Sequence, residues 1–428
     1  MTFWLYNAFL VPLLYIGFHI AGLFNDKIRQ GIRGRRHIWD ELKKLRDVRS
    51  GTDLCVWIHV SSMGEFEQGL PVAKEMLRRY PKVMIVFSFF SPSGFEHAFV
   101  EPPFYKCYLP FDSKQNANRF VSMIQPDAAL IIRHDIWPNH LRELLKRGIP
   151  SFLLDASISD ERRRQTQRLA FAMQPVYQLF TEVCTVNREQ ISRFADIYPG
   201  IKALQSCGDT RYDRVLQRAR ETSKIDPIQS LLSFPRKSTL VAGSTWPSDE
   251  SIILKPIIET CQQNNQFRCV LAPHEISELH INDLLQTFSE HQIKAVRLAE
   301  LEHADADMQI LVIDRIGLLA NLYALGQTAF VGGAFGPGIH NVLEPAAHAS
   351  YVLFGPRYTN SPEPEFLIRF GGGCVIRNSD DMKQALLSML DNHRTVYQAG
   401  QKARAFVQSE AGAARKTVDR IDKYLQHK

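Results

Sequence analysis

From Cys55 onward, short β-branched runs alternate with helix-patterned stretches, and this alternation constrains the fold more than any other feature. Strands are read at 56–60, 83–89, 107–110, 128–133, 151–155 and 182–186, with amphipathic segments at 65–80, 113–125 and 140–148 between them. Strands that are apolar along their whole length need cover on both faces. Crossover helices on a parallel sheet supply it. The rhythm then restarts with runs at 239–243, 268–272, 294–297, 309–313, 328–332 and 351–354, after a junction near 213–235. The expectation is an α/β protein of two doubly wound, Rossmann-like domains facing across a cleft. Boundaries are placed at 1–25 for an anchor, 26–215 for the first domain and 216–428 for the second, including a helical tail from Ser379.

Length and composition agree with two globular domains: 428 residues, 45% hydrophobic and 22% charged. A net charge of +6 does not by itself imply a nucleic-acid partner, and none is expected. The seven cysteines form no C-x-x-C pair and fall mostly in apolar runs, which suggests buried, reduced thiols.

Residues Phe3 to Phe24 are almost wholly apolar, broken mainly by Asn7, Pro12 and His19. A helix of that length reaches about 30 Å, the thickness of a bilayer core. Lys27, Arg29, Arg33, Arg35 and Arg36 follow at once, so the body is expected on the cytoplasmic side. A cleaved signal peptide would carry its basic residues before the apolar run, and there are none there. An uncleaved anchor is therefore expected, spanning the membrane or lying in its interface.

In doubly wound sheets, ligands bind at the carboxyl ends of strands, and five loops there carry chemistry. The richest follows the apolar run Thr328–Ala334: a turn with Gly336 and Gly338, then a helix expected to open near His340 and Asn341, with Glu344 on its first turn. Glycines allow close backbone approach, and a helix N-terminus offers unpaired N–H groups, the layout of a nucleotide site. Neither G-x-G-x-x-G nor G-x-x-x-x-G-K-[ST] is present. After the first strand, Ser62, Gly64 and Glu65 open a long helix, where Glu65 suits a general base or a helix-capping carboxylate. Asp135 precedes the rigid Trp137-Pro138 turn and could bind a sugar hydroxyl or simply start a helix. Ser244 and Thr245 suit a phosphate or an ordinary cap. Pro273-His274 end another strand, and Arg211 lies near the junction, able to reach an anion.

Together these segments resemble the Kdo (3-deoxy-D-manno-octulosonic acid) transferases of Gram-negative lipopolysaccharide synthesis. The shared pattern runs through Ser62 to Phe66, Tyr108 to Asp112, Ile136 to Asn139, Arg147 to Pro150, Gly208 to Asp213 and Ala242 to Thr245. It continues with Tyr323-Ala324, Val331 to Gly333, His340-Asn341, Glu344-Pro345 and Leu353 to Pro356. The resemblance implies a GT-B glycosyltransferase in the cell inner membrane, metal-independent, inverting and free of cofactors. It would take Kdo from CMP-Kdo to a lipid A precursor, with an acceptor domain first and a donor domain second. Glu65 then matches the catalytic base. Pro273, His274, Gly317, Asn341 and Glu344 match the CMP region, and Ser244 and Thr245 its phosphate loop. Arg211 joins the donor set, and Ser62, Gly64 and Asp135 the acceptor or sugar contacts. Arg133, Glu275-Ile276, Arg315-Ile316 and Trp246-Pro247 depart from the usual pattern and mark a divergent branch. Other readings are a GT-B enzyme using a UDP-sugar on another membrane glycolipid, and a non-catalytic sugar-nucleotide binding protein.

Overall fold

A computed structural model describes residues 3–49, 51–221, 225–232, 234–305 and 307–425. Its chain divides into two units, Met1–Arg214 with Ala411–Lys428, and Val215–Glu410. The first contains β1 (Leu54–Val60), β2 (Val83–Phe89), β3 (Phe104–Tyr108), β4 (Ala128–Ile132), β5 (Ser151–Ala156), β6 (Glu182–Thr185) and β7 (Leu204–Ser206). They form one parallel sheet in the order β3-β2-β1-β4-β5-β6-β7. The second contains β8 (Thr239–Thr245), β9 (Arg268–Pro273), β10 (Ala295–Arg297), β11 (Ile310–Val312), β12 (Thr328–Val331), β13 (Tyr351–Phe354) and β14 (Gly373–Val375). Its sheet runs β10-β11-β9-β8-β12-β13-β14, again parallel throughout. Both units are doubly wound, as the alternation predicts.

The central strands owe their order to two-sided burial. Every residue of β2 and of β4 is buried. Alternate residues of β1 feed opposite layers: Cys55 and Trp57 pack into one core, and Val56, Ile58 and Val60 into the other. Strand order reverses direction between β1 and β4 in the first sheet and between β8 and β12 in the second. Such switch points leave a crevice at the strands' carboxyl ends, because the flanking crossovers depart to opposite sides.

One boundary differs from expectation. The tail does not stay with the second unit: the helix Ala413–Leu425 belongs to the first. Its Val418 and Ile421 are fully buried in the layer that contains Val56 and Phe152. Asp213 accepts hydrogen bonds from the backbone N–H groups of Gly412 (3.0 Å) and Ala413 (2.9 Å), capping the helix start. Glu182, 1% exposed, receives the Arg420 guanidinium and the Tyr424 hydroxyl. Sequence periodicity identifies such a helix but not the sheet it covers.

The N-terminal apolar segment is helical over Phe3–Phe24, with a π turn at Tyr6–Leu10, and is long and apolar enough to cross a membrane. One flank is docked on the first unit. The Tyr6 hydroxyl donates to Asp112 Oδ2 (2.7 Å), and the Asn7 and Asn139 amides exchange hydrogen bonds of 3.1 and 2.8 Å. Tyr15 and Phe18 set ring edges against Phe111. Asn7, a break in the apolar pattern, is thus a docking residue. The other flank leaves Trp4, Phe9, Leu13, Ile16, Ile20 and Leu23 exposed. Arg35 leaves the expected surface-basic set: its guanidinium donates to the carbonyls of Leu109, Gly31 and Phe90 and lies over the Phe90 ring. Lys27, Arg33 and Arg36 stay exposed.

Replacing Arg420 by Ala leaves the Glu182 carboxylate buried without its cation. The expected cost is about 2–3 kcal/mol, moderated by the part of Arg420 that faces water. Urea unfolding followed by circular dichroism measures it, and a cost near zero would show that water reaches Glu182 freely.

Candidate active site

In the first unit the β1 and β4 ends bring Glu65, Asp135 and His59 together. Ser62 caps the helix Met63–Arg79, its hydroxyl accepting from the Glu65 N–H at 3.4 Å. This cap places Glu65 one turn in, with its side chain turned back to accept a short hydrogen bond from the Ser61 N–H. The geometry of a capping carboxylate is therefore present, yet the group remains chemically poised. Burial pushes its pKa up, the Ser61 N–H opposes, and the nearby Asp135 charge pushes it further up. Burial would raise Asp135 as well, but the hydrogen bond and charge of His59 hold it below the ordinary value. Gly64 is exposed and meets no steric demand, since a Cβ there would come no nearer than 3.9 Å to Ser62.

His59 is fixed from behind. The Trp57 indole N–H donates to Ser88 Oγ (2.7 Å), and Ser88 Oγ lies 2.8 Å from His59 Nδ1. His59 Nδ1 also lies 3.1 Å from the Ser88 carbonyl oxygen, and Nε2 faces Asp135 Oδ2 at 3.0 Å. Neither His59 nor Ser88 is evident from the sequence. His59 is 1% exposed within an apolar strand, and its sole signal is its position just before the Ser61-Ser62 turn.

The second unit gathers Ser244, Thr245, Pro273, His274 and the glycine turn at the β8, β9 and β12 ends. Ser244 has φ +53°, at the point where the β8–β9 register shifts. A Cβ on Gly332 would meet the Ser244 carbonyl oxygen at 2.2 Å, so the two backbones approach as only glycine permits. Thr245 is withdrawn from the expected phosphate-facing pair: its hydroxyl, 1% exposed, donates to Glu250 Oε1 at 2.8 Å. Asp249, fully buried, ties the β8 loop to the glycine turn by accepting from the N–H groups of Trp246 (2.9 Å), Gly333 (2.7 Å) and Phe335 (3.2 Å). The signal that could have revealed Asp249 is its place three residues after Trp246, a capping spacing.

Three rings follow from that tie. Trp246 Nε1 donates to His340 Nε2 at 3.0 Å, and the two ring planes are 6° apart. His274 lies across both, with centroids 4.5 Å from Trp246 and 4.6 Å from His340. Burial and the neighbouring His274 hold the His340 pKa down, with Asp249 opposing.

The expected helix opens later than His340: it is Leu343–Ala347, and Asn341 instead accepts from the Leu343 N–H at 3.0 Å just before it. The Val342-Leu343 pair is apolar and buried, and packing overrides the capping signal there. Asn341 is exposed, and Glu344 pairs with Arg218 at 3.3 Å. Gly317 turns the chain after β11 with φ +89° and open space where a side chain would stand. Arg211 belongs to the other unit, its guanidinium held by Asp209 at 2.7–3.1 Å. No group of three or more His, Cys, Asp or Glu side chains suited to a metal ion occurs among the described residues.

Residues 32–214 match the family model described as 3-deoxy-D-manno-octulosonic-acid transferase (kdotransferase). A 3-deoxy-D-manno-octulosonic acid transferase from Haemophilus influenzae is 25% identical over 378 residues, covering 87% of each chain. Among solved structures, UDP-GlcNAc 2-epimerase from Neisseria meningitidis superposes with a TM-score of 0.59 at 12% identity, over 86% of this chain and all of that one. A transferase from Siraitia grosvenorii in complex with UDP gives 0.51 at 11% identity, over 87% of this chain and 100% of that one. These structural likenesses speak to the two-domain GT-B fold.

Because burial dominates the Glu65 environment, its carboxyl is expected to titrate above the ordinary value of 4.5. Carbon-13 spectra of glutamate-labelled protein, assigned with Glu65→Gln, read the midpoint directly. A midpoint at or below 4.5 would mean that the Ser61 hydrogen bond outweighs burial.

Proposed function

Because this chain belongs to the Kdo transferases, we propose that it moves Kdo from CMP-Kdo to a lipid A precursor, lipid IVA, in one inverting displacement. The observation that carries the residue assignment is the half-buried Glu65 carboxylate at the β1 end, with its raised pKa. A base must be ionised to accept a proton yet basic enough to take it, and desolvation supplies the second property. Glu65 takes the proton of a glucosamine hydroxyl as that oxygen bonds to the anomeric carbon of Kdo. The bond from that carbon to the phosphate oxygen breaks, and CMP leaves with the electron pair. Asp135, kept anionic by His59, holds sugar hydroxyls beside the base together with Ser62 and the open backbone at Gly64.

The second unit holds the donor. Ser244, Pro273-His274 and Gly317 receive the phosphate and its nucleoside, and Asn341 with Glu344 binds ribose. N–H dipoles and neutral rings stabilise the charge that develops on the leaving phosphate. The body sits on the cytoplasmic face of the inner membrane, with the N-terminal helix lying in the interface. Its docked flank supports this orientation: a helix tied along its length by Tyr6, Asn7 and Phe18 offers its other side to lipid. Lys27, Arg33 and Arg36 face anionic headgroups.

Incubation with CMP-Kdo and lipid IVA, read by mass spectrometry, should give a Kdo-bearing lipid, and turnover with UDP-sugars but not CMP-Kdo would overturn the assignment. Glu65→Gln is expected to lower turnover by about 10²–10⁴-fold. A variant that keeps most of its activity would remove Glu65 from the role. Replacing Phe9, Leu13 and Ile20 by Ser should weaken binding to vesicles containing anionic lipid by about tenfold or more. Undiminished flotation of that variant with vesicles would argue against an interfacial helix.

A further inference from the structure

The ring assembly of the second unit has a property that the proposed reaction does not require and the geometry imposes. An indole N–H is a donor only, so His340 Nε2, 3.0 Å from Trp246 Nε1, acts as the acceptor. A neutral imidazole that accepts at Nε2 carries its proton on Nδ1. That nitrogen has no hydrogen-bond partner among the described residues. We propose that Trp246 is a positioning residue: it locks His340 in the Nδ1–H tautomer and presents that N–H as a neutral hydrogen-bond donor to the phosphate of a nucleoside monophosphate group.

The surroundings make the lock rigid. His274 covers the face of the Trp246–His340 pair, so neither ring turns without breaking a stacked contact. The backbone of each loop is fixed by the same buried carboxylate, since Asp249 accepts from the Trp246 and Gly333 N–H groups. The His340 N–H in turn donates to the Gly332 carbonyl at 3.2 Å. There is no slack behind the imidazole: a Cβ on Gly333 would meet His340 Cδ2 at 2.8 Å.

Charge points the same way. Protonating His340 would cost the bond from Trp246, and His274 stands against a second positive charge, while Asp249 is the nearby group that favours one. A neutral donor serves a leaving phosphate without exchanging its proton as charge develops. A histidine free to titrate would change charge within the physiological range.

The phosphate ligand rests on the donor reading above, whereas the tautomer does not. Nitrogen-15 spectra of the full-length protein labelled at histidine, with His340→Asn for assignment, should show a protonated Nδ1 and a bare Nε2 at His340. Trp246→Phe keeps an aromatic face and loses the N–H. It should abolish that tautomer preference and weaken CMP binding, measured by calorimetry, by about tenfold, the worth of one well-placed hydrogen bond. A wild-type His340 protonated on Nε2 overturns the proposal without recourse to any variant. A Trp246→Phe protein that binds CMP as tightly as wild type overturns it equally. If wild-type protein shows the expected tautomer but does not bind CMP, the donor reading falls and the phosphate ligand falls with it.

Discussion

Two-sided burial of parallel sheets is the constraint from which the rest of this molecule follows. With helices on both faces, the central strands are mostly apolar along their length, and their backbone groups are consumed by the ladder. Chemistry is confined to the carboxyl ends, where strand gives way to loop. Three non-glycine residues adopt left-handed backbone there: Arg133 (φ 62°), Asp155 (φ 52°) and Ser244 (φ 53°). Each costs about 1–2 kcal/mol. The rigid sheet of each unit holds them against that cost.

Each unit sets a histidine near an indole. At His340 an indole N–H donates directly to Nε2, whereas at His59 the indole reaches the imidazole only through Ser88, whose carbonyl oxygen also lies 3.1 Å from Nδ1. The outcomes differ because the opposite nitrogen meets different company. His59 Nε2 faces a carboxylate and favours the anionic form of Asp135, next to a partly desolvated glutamate. Two neighbouring carboxyls thereby acquire opposite tendencies, Asp135 toward the charged form and Glu65 toward the protonated form.

The sequence displayed what is periodic and concealed what is long-range. Strand positions and the doubly wound class are legible because alternation and length are local properties. The edge strands Leu204–Ser206 and Gly373–Val375 do not stand out as apolar runs, and pairing with a longer neighbour defines them. Glu65 and the glycine turn stand out as motifs. His59, Ser88 and Asp249 do not, because their roles depend on partners in other segments. Thr245 reads as a phosphate contact until Glu250 is seen to claim its hydroxyl, and Arg35 reads as a surface charge until three carbonyls are found around it. In both cases the residue type suggests a role that a neighbouring group has already taken.

The return of Ala413–Leu425 to the first unit makes the second unit an insertion within the first. During synthesis the first sheet leaves the ribosome complete, yet one of its buried layers lacks Val418 and Ile421 until some two hundred further residues have followed. At about 5–20 residues per second that interval is roughly 10–40 s. For its duration apolar surface stands open on a chain whose first helix is already a candidate for lipid. The first unit is begun first and closed last, so nascent chains are most vulnerable to aggregation while the inserted unit is being made.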